Sequence, residues 1–424
     1  MSTASIILPS TLRRVTATLF VAQSLALAAL NAATTISGIA GAELGGEWAA
    51  GLPTTFALIG GALAAYPAGH LMGRGGRRLG LSAGYAAGIV GGLITGFSMA
   101  AHSLPVFVFG MVFLGAARAV SDQARYATAD VYPPHLRGRA VSAIVFAGTI
   151  GAVLGPALSP VAGRVATDLG YSELVGPWFV PPLLLIATLI FINLLLHPDP
   201  RDIARRLQTP DAPQLSYPAA DPGRSFWQVM SSPQARLALL SMGLAQTVMV
   251  MVMTITPVYM RHHTHGLDEI SFVTAAHILG MYGLSMAAGW MADRWSRRAT
   301  IGLGSVLLIA ACLAAPQNPD TWPLAVSLFL LGLGWNLCFV AGSSLLTDAL
   351  DVAETARFQG AADLLVNLAS AVGSLGSGLL IASLGFGTLA AIGAGLALLI
   401  GASSLKRHRS LPLNPPRQAT SQNA

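Results

Sequence analysis

Two short turns, each closed by a pair of arginines, constrain this chain more than any other feature. The first is Gly69-His70-Leu71-Met72-Gly73-Arg74-Gly75-Gly76-Arg77-Arg78, wedged between two long apolar runs. About 220 residues further on, the chain reads Gly289-Trp290-Met291-Ala292-Asp293-Arg294-Trp295-Ser296-Arg297-Arg298, with the opening glycine, the central arginine and the closing pair in the same places. A basic turn this tight between membrane-length apolar segments reads as a hydrophilic hairpin at one bilayer face. Its recurrence reads as a duplicated unit.

Apolar runs of spanning length surround these turns. The first set lies at about residues 15–40, 49–72, 79–102, 104–126, 140–162 and 176–196; the second lies at about 237–260, 270–291, 299–315, 322–346, 360–384 and 387–405. Of the 424 residues, 54% are hydrophobic and 10% charged, and the mean hydropathy is +0.63. A soluble surface cannot be made from such a chain, so an all-α membrane protein is expected, with twelve transmembrane helices in two pseudo-symmetric six-helix bundles. Arg13-Arg14 precede the first run, but that run is too long for the apolar core of a secretory signal and is expected to remain as a span. Between the two sets, Pro200, Pro210, Pro213, Pro218 and Pro222 mark a solvated linker. The domains expected are a bundle over residues 1–196, a linker over 197–236, a second bundle over 237–405 and a tail over 406–424.

In a soluble chain the net charge of +6 and pI near 9.7 would suggest nucleic acid as a partner. Here the arginines gather in alternate loops and report topology, and no nucleic-acid partner is expected. Arg13, Arg14, the two turns, Arg137, Arg139, the linker arginines, Arg357 and the basic tail fall on one side. The other side holds Arg164 and Arg261, with acids such as Glu43 and Glu47. Positive charge inside then places both termini and the linker in the cytoplasm. Cys312 and Cys338 both sit in apolar runs, which leaves neither a disulfide framework nor a metal cluster.

The third span carries Gly80, Gly84, Gly88, Gly92 and Gly96 at four-residue spacing, a stripe for close helix packing. In the fourth, Arg118, Asp122 and Arg125 share one helical face. A charge inside a span costs on the order of 2.5 to 3.5 kcal/mol and is retained where it pairs and faces a cavity. An internally neutralised pair that only packs the helix is the competing reading.

The two turns resemble the signature loop of the major facilitator superfamily, a glycine, acid, basic, glycine, basic-basic hairpin. Further matches follow at Arg118, at Pro134 with Arg137-Gly138-Arg139-Ala140, and at Gly151, Gly155 and Pro156. The resemblance covers essentially all twelve spans and is nearest to bacterial drug/proton antiporter-like members. It implies the major facilitator fold, alternating access, and a role for Arg118 in proton coupling or substrate binding. The antiporter-like stretch of the fifth span departs from the family at its end, where Ser159-Pro160 replace a glycine pair.

Resemblance also assigns an inner gate to Gly69, Gly73, Arg77, Asp130, Arg139, Gly289, Asp293, Arg297 and Arg357. The family's acid is Asp293 in the second copy and is replaced by Gly73 in the first. A carboxylate there is expected to face the start of a helix in the opposite half, where the helix dipole stabilises it by roughly 0.3 to 2 kcal/mol. Asp293 is expected to do so at the start of the fifth span, beside Arg139, and Gly73 cannot do so beside Arg357.

The first and seventh spans, related by the duplication, offer neutral hydrogen-bonding groups, of which Asn31, Gln246 and Thr254 are the candidates for substrate binding. In the tenth span Trp335 and Asn336 occupy the register of Arg118 and suit a flat organic ligand. His277 in the eighth span and Asp363 in the eleventh join Arg118 and Asp122 as proton-coupling candidates, although a satisfied buried histidine and a gate acid are equally open. His262, His263 and His265 lack an acid or cysteine to complete a metal site.

No P-loop, metal-ligand spacing or nucleophile with its base is present, so neither an enzyme nor a cofactor is expected. The reading is a monomeric secondary transporter of the bacterial inner membrane that exchanges small organic molecules for protons. Proton-coupled uptake of an organic anion or nutrient is the alternative.

Overall fold

The computed structural model describes residues 9–129, 131–132, 134–207, 225–350 and 352–405. Its first half consists of α1 (Pro9–Gly45), α2 (Leu52–Gly75), α3 (Arg77–Ala100), α4 (Leu104–Asp122), the short α5 (Ala124–Ala129), α6 (Pro134–Asp168) and α7 (Val180–Leu195). The short α8 (Pro200–Leu207) and α9 (Phe226–Met230) follow, so the described parts of the proline-rich stretch are partly helical. The second half consists of α10 (Pro233–His262), α11 (Leu267–Tyr282), α12 (Ser285–Arg294), α13 (Arg297–Ala314), α14 (Thr321–Asp348) and α15 (Val352–Leu405).

Eleven helices among the described residues are long and apolar enough to cross a bilayer. The last, α15, has 54 residues and is broken at Gly385, whose φ of 77° is left-handed. At about 1.5 Å per residue such a helix would be far longer than a hydrocarbon core of about 30 Å, and the break divides it into two pieces of spanning length.

The duplication reappears in the packing. α1 lies on α6 as α10 lies on α15; α2 lies on α4 as α11 on α14; α3 lies on α4 as α13 on α14. Small residues allow these approaches. A methyl group on Gly88 would meet Ala117 of α4 at 2.6 Å, and one on Gly92 would meet Pro182 of α7 at 2.6 Å, so the glycine ladder of α3 is a packing stripe. Gly151 and Gly155 likewise bring α6 against the backbone of α1, where Ser24 Oγ donates to the Ala147 carbonyl at 2.8 Å.

The halves meet through α1 with α10, α2 with α15, and α6 with α11. Among the described residues three ion pairs cross this interface at the end away from the arginine turns. Arg164 reaches Asp268 at 3.0 Å, Arg261 reaches Glu173 at 3.2 Å, and His262 lies 3.6 Å from Glu47. At the same end three glycines bring backbone onto backbone across the interface: Gly38 abuts the Thr254 carbonyl, Gly51 that of Ser374, and Gly378 that of Trp48.

At the basic end each turn is anchored by groups of its own half. The α3 N-terminus is capped by Asp199, whose carboxylate accepts from the backbone N–H groups of Arg77 at 3.0 Å, Arg78 at 2.9 Å and Arg201 at 2.9 Å. Gly76 supplies the left-handed turn (φ 97°) that brings the carboxylate this close. In the second turn Ser296 Oγ accepts from the Ala299 N–H at 3.1 Å, and Arg297 pairs with Asp293 at 3.7 Å and with Asp348 of α14.

Candidate functional site

Charge inside an apolar bundle has to find water or a partner, and the structure supplies both around α4. Arg118 Nε lies 3.7 Å from Asp122 Oδ1, one helical turn away. Their side chains are 38% and 51% exposed, so the pair borders open space. That space is a cleft of about 620 Å³, including the part open to solvent, bordered also by Gln23, Leu27 and Asn31 of α1, by Ile144, Gly148, Thr149 and Ala152 of α6, and by Tyr282 of α11.

The first half thus contributes a polar, charged wall. Ser121 Oγ donates to Gln23 Oε1 at 3.2 Å behind it, which ties α4 to α1. Asn31 donates to the Leu27 carbonyl at 2.7 Å and leaves its amide edge on the cleft. From the second half comes Tyr282, which borders the same cleft as Arg118 and Asp122. Behind Tyr282 stands Trp335, edge to face at 6.1 Å and 78°, itself stacked on Phe339 at 4.9 Å. Trp335 Nε1 donates to Gln246 Oε1 at 2.6 Å, which fixes the indole between α14 and α10. A second, apolar cleft of about 540 Å³ separates α10 from α15 and is bordered by Leu239, Leu240, Gly243, Leu244, Thr247, Leu365, Val366 and Ala369.

Arg118, Tyr282 and Trp335 all sit about four turns inward from the starts of their helices at the acidic end. They therefore share one depth near the middle of the bundle.

The structure brings together Arg118, Asp122 and Asn31, with Gln246 and Trp335 one layer back. It places the other candidates elsewhere. Asn336 is 1% exposed, and its amide donates to the Met281 carbonyl at 2.6 Å and to Ser285 Oγ at 2.9 Å, so it binds α14 to α11 and α12. His277 is 2% exposed, with Nδ1 2.9 Å from the Leu328 carbonyl, a buried tie between α11 and α14 and not a cleft group. Thr254 sits at the α1–α10 crossing beside Gly38, and Asp363 lies exposed on α15.

At the gate, Asp293 does not face the first half. Its side chain is 76% exposed and lies beside Arg297 of its own half. Gly69 and Gly289 lie in α2 and α12, and a methyl group on Gly73 would have nothing within 4 Å. Arg77 is held through its backbone by Asp199. Asp130, and the side chains of Arg139 and Arg357, lie outside the described residues. The three outer histidines take separate partners: His262 has Glu47, His263 the Tyr259 carbonyl at 2.9 Å, and His265 both Glu269 and the Pro319 carbonyl at 2.9 Å.

Sequence reasoning missed Tyr282 and Asp199. Tyr282 immediately precedes Gly283, where the eighth run breaks into α11 and α12. Asp199 is the acid set between Pro198 and Pro200 after the sixth run, a local pattern that suits a cap.

A helical membrane bundle built of two alike halves around a polar mid-membrane cleft defines a multi-pass transporter architecture. The model of the Major Facilitator Superfamily matches residues 16–287 and 238–422, and the chain belongs to that superfamily. It is 36% identical over 383 residues to the uncharacterized MFS-type transporter YdeG of Bacillus subtilis, covering 88% of this chain and 87% of that one. The riboflavin transporter RfnT of Brucella anthropi is 26% identical over 378 residues, with 89% and 91% covered. Among solved structures, the inward open conformation of the xylose transporter XylE from E. coli superposes with a TM-score of 0.68 at 15% identity, with 92% and 95% covered. The protein is a transporter of small molecules and a multi-pass protein of the bacterial inner membrane.

Proposed function

We propose that this protein is a proton-coupled exporter of small organic molecules, with twelve spans, both termini in the cytoplasm, and the conformation described above open to the inside. Support for the orientation comes from the basic turns and from the position of the cross-half ion pairs at the other face. The observation that carries the coupling is the state of Asp122: it borders the cleft, is the more exposed member of its pair, and is held by a single 3.7 Å contact. A carboxylate so placed can bind either a proton or a substrate's positive or hydrogen-bonding edge. Exchange requires that each ligand exclude the other, and one shared carboxylate meets that requirement.

Uptake of an anion or nutrient is the second reading, with Arg118 as counter-charge. It is favoured by the exposure of Arg118 on the cleft and by the likeness to RfnT, a riboflavin transporter. Reconstituted protein under an imposed pH gradient separates the two. Export predicts substrate movement against the proton flow, which Asp122→Asn abolishes, with the remaining substrate binding weaker and no longer dependent on pH. Proton-driven flux of normal rate in that variant removes Asp122 from the mechanism, and co-movement of substrate and protons replaces export with uptake.

A further inference from the structure

The cleft is polar on the side of the first half and, among the residues bordering it, receives one residue from the second, Tyr282. This tyrosine does not stand alone. Its ring rests edge to face on Trp335, and Trp335 is pinned by the 2.6 Å hydrogen bond to Gln246. The three residues come from α11, α14 and α10, so three helices of the second half place Tyr282 on the cleft that Arg118 and Asp122 border. On the other side Arg118 is claimed by Asp122, of its own helix, through the long Nε contact.

We propose that Tyr282 is the residue through which the second half reads the charge state of the Arg118–Asp122 pair, with Trp335 and Gln246 as its positioning residues. Arg118 is shared between a partner in its own half and a partner across the cleft. When Asp122 is ionised, its charge holds the guanidinium on the first half. When Asp122 takes up a proton it loses that hold, and Arg118 shifts its hydrogen bonding towards the Tyr282 hydroxyl. The proton-loaded carrier thereby gains a tie between its halves at the level of the cleft and can close around an otherwise empty site. The substrate-loaded carrier does not need this tie, because the substrate itself spans the cleft. Tyr282 therefore matters more for the return of the proton-loaded carrier than for movement of the substrate-loaded one.

This inference rests on the assignment of Asp122 as the proton site, and the test keeps the two separable. Wild type, Asp122→Asn, Tyr282→Phe and Gln246→Leu are reconstituted, and each is assayed for pH-driven net flux and for substrate-for-substrate exchange without a pH gradient. Tyr282→Phe keeps the ring and its packing and removes only the hydroxyl. It is expected to lower net flux roughly tenfold, the worth of one hydrogen bond to a charged group, while exchange falls by a clearly smaller factor, the part owed to the hydroxyl's place on the cleft wall. Gln246→Leu, which frees the indole, is expected to show the same split in weaker form. Tyr282→His, whose neutral imidazole offers Arg118 an acceptor, is expected to recover part of the net flux. If Asp122→Asn loses net flux and Tyr282→Phe keeps it, the role of Tyr282 is overturned and the proton site stands. If Asp122→Asn keeps net flux, the proton site itself falls, whatever Tyr282→Phe does. Equal loss of both activities in Tyr282→Phe, with Tyr282→His no better, makes the tyrosine a packing residue and overturns the proposal.

Discussion

The two ends of the interface between the halves are built on opposite plans. At the acidic end, Arg164–Asp268, Arg261–Glu173 and His262–Glu47 each join one half to the other. At the basic end, Asp199 gathers three backbone N–H groups of its own half, and Arg297 draws in Asp293 and Asp348 of its own half. Contacts that join halves must break whenever that face opens, whereas contacts within a half persist through the cycle. The comparison therefore separates the parts that switch from those that stiffen the moving bodies. It also explains how the first turn manages without the family's acid: Asp199 caps α3 from the root of the linker, and Gly73 is left with open space around it.

The sharpest way to break this comparison is to wedge the acidic end. Gly38→Leu places a side chain against the Thr254 carbonyl where a single methyl group already collides. The halves can then no longer close there, and transport is expected to be lost, with spin labels across that face showing the open distance alone. Next in size is Asp199→Ala, which removes two charge-assisted hydrogen bonds from the start of α3 and one from the start of α8. With about 1.5 to 3 kcal/mol for a hydrogen bond to a charged group and partial replacement by water, a net loss of about 2 kcal/mol of stability is expected. Thermal unfolding should register it, while spin-label distances at both faces stay unchanged, as befits a contact inside one half.

Arg164→Ala belongs to the switching class but breaks an exposed pair, 59% and 71% accessible, worth about 0.2 to 1 kcal/mol. A shift of up to about fivefold towards the state open at that face is expected. The His262–Glu47 pair, 3.6 Å apart and half-exposed, belongs to the same class, and His262→Ala is expected to shift the spin-label distances in the same direction by less than Arg164→Ala does. The smallest effect is expected from Gly73→Asp. The space is open, so the protein should fold as before, with a modest gain in the state closed at the basic end; an unchanged distribution would show that Asp199 has made the missing acid redundant.

Much of the fold was legible because bilayer-length apolar runs and recurring arginine turns leave few alternatives. Boundaries shifted where local chemistry intervened: the eighth run divides at Gly283, and the last two are joined through Gly385. The charged side of the cleft was legible as well, since Arg118 and Asp122 are conspicuous in an apolar helix. The aromatic side was not. Trp335 and Asn336 are neighbours in sequence, yet a helix turns them about 100° apart, so one backs the cleft while the other is spent on α11 and α12. Which face a polar residue shows depends on the rotation of each helix, and that is settled by contacts hundreds of residues away. His277 illustrates the point, since a histidine in a span reads as a proton carrier until the Leu328 carbonyl is found beside it.

The glycine contacts at the acidic end carry a last implication. Gly38, Gly51 and Gly378 meet carbonyl groups of the opposite half with no side chain between them. A closure made of main-chain surfaces has no rotamers to search each time it forms, and little conformational entropy is lost on closing beyond that of the hinge itself. Such a surface behaves as a bearing: it can part and reseat once per turnover in the same geometry, and the ion pairs around its rim need only bias how long it stays shut.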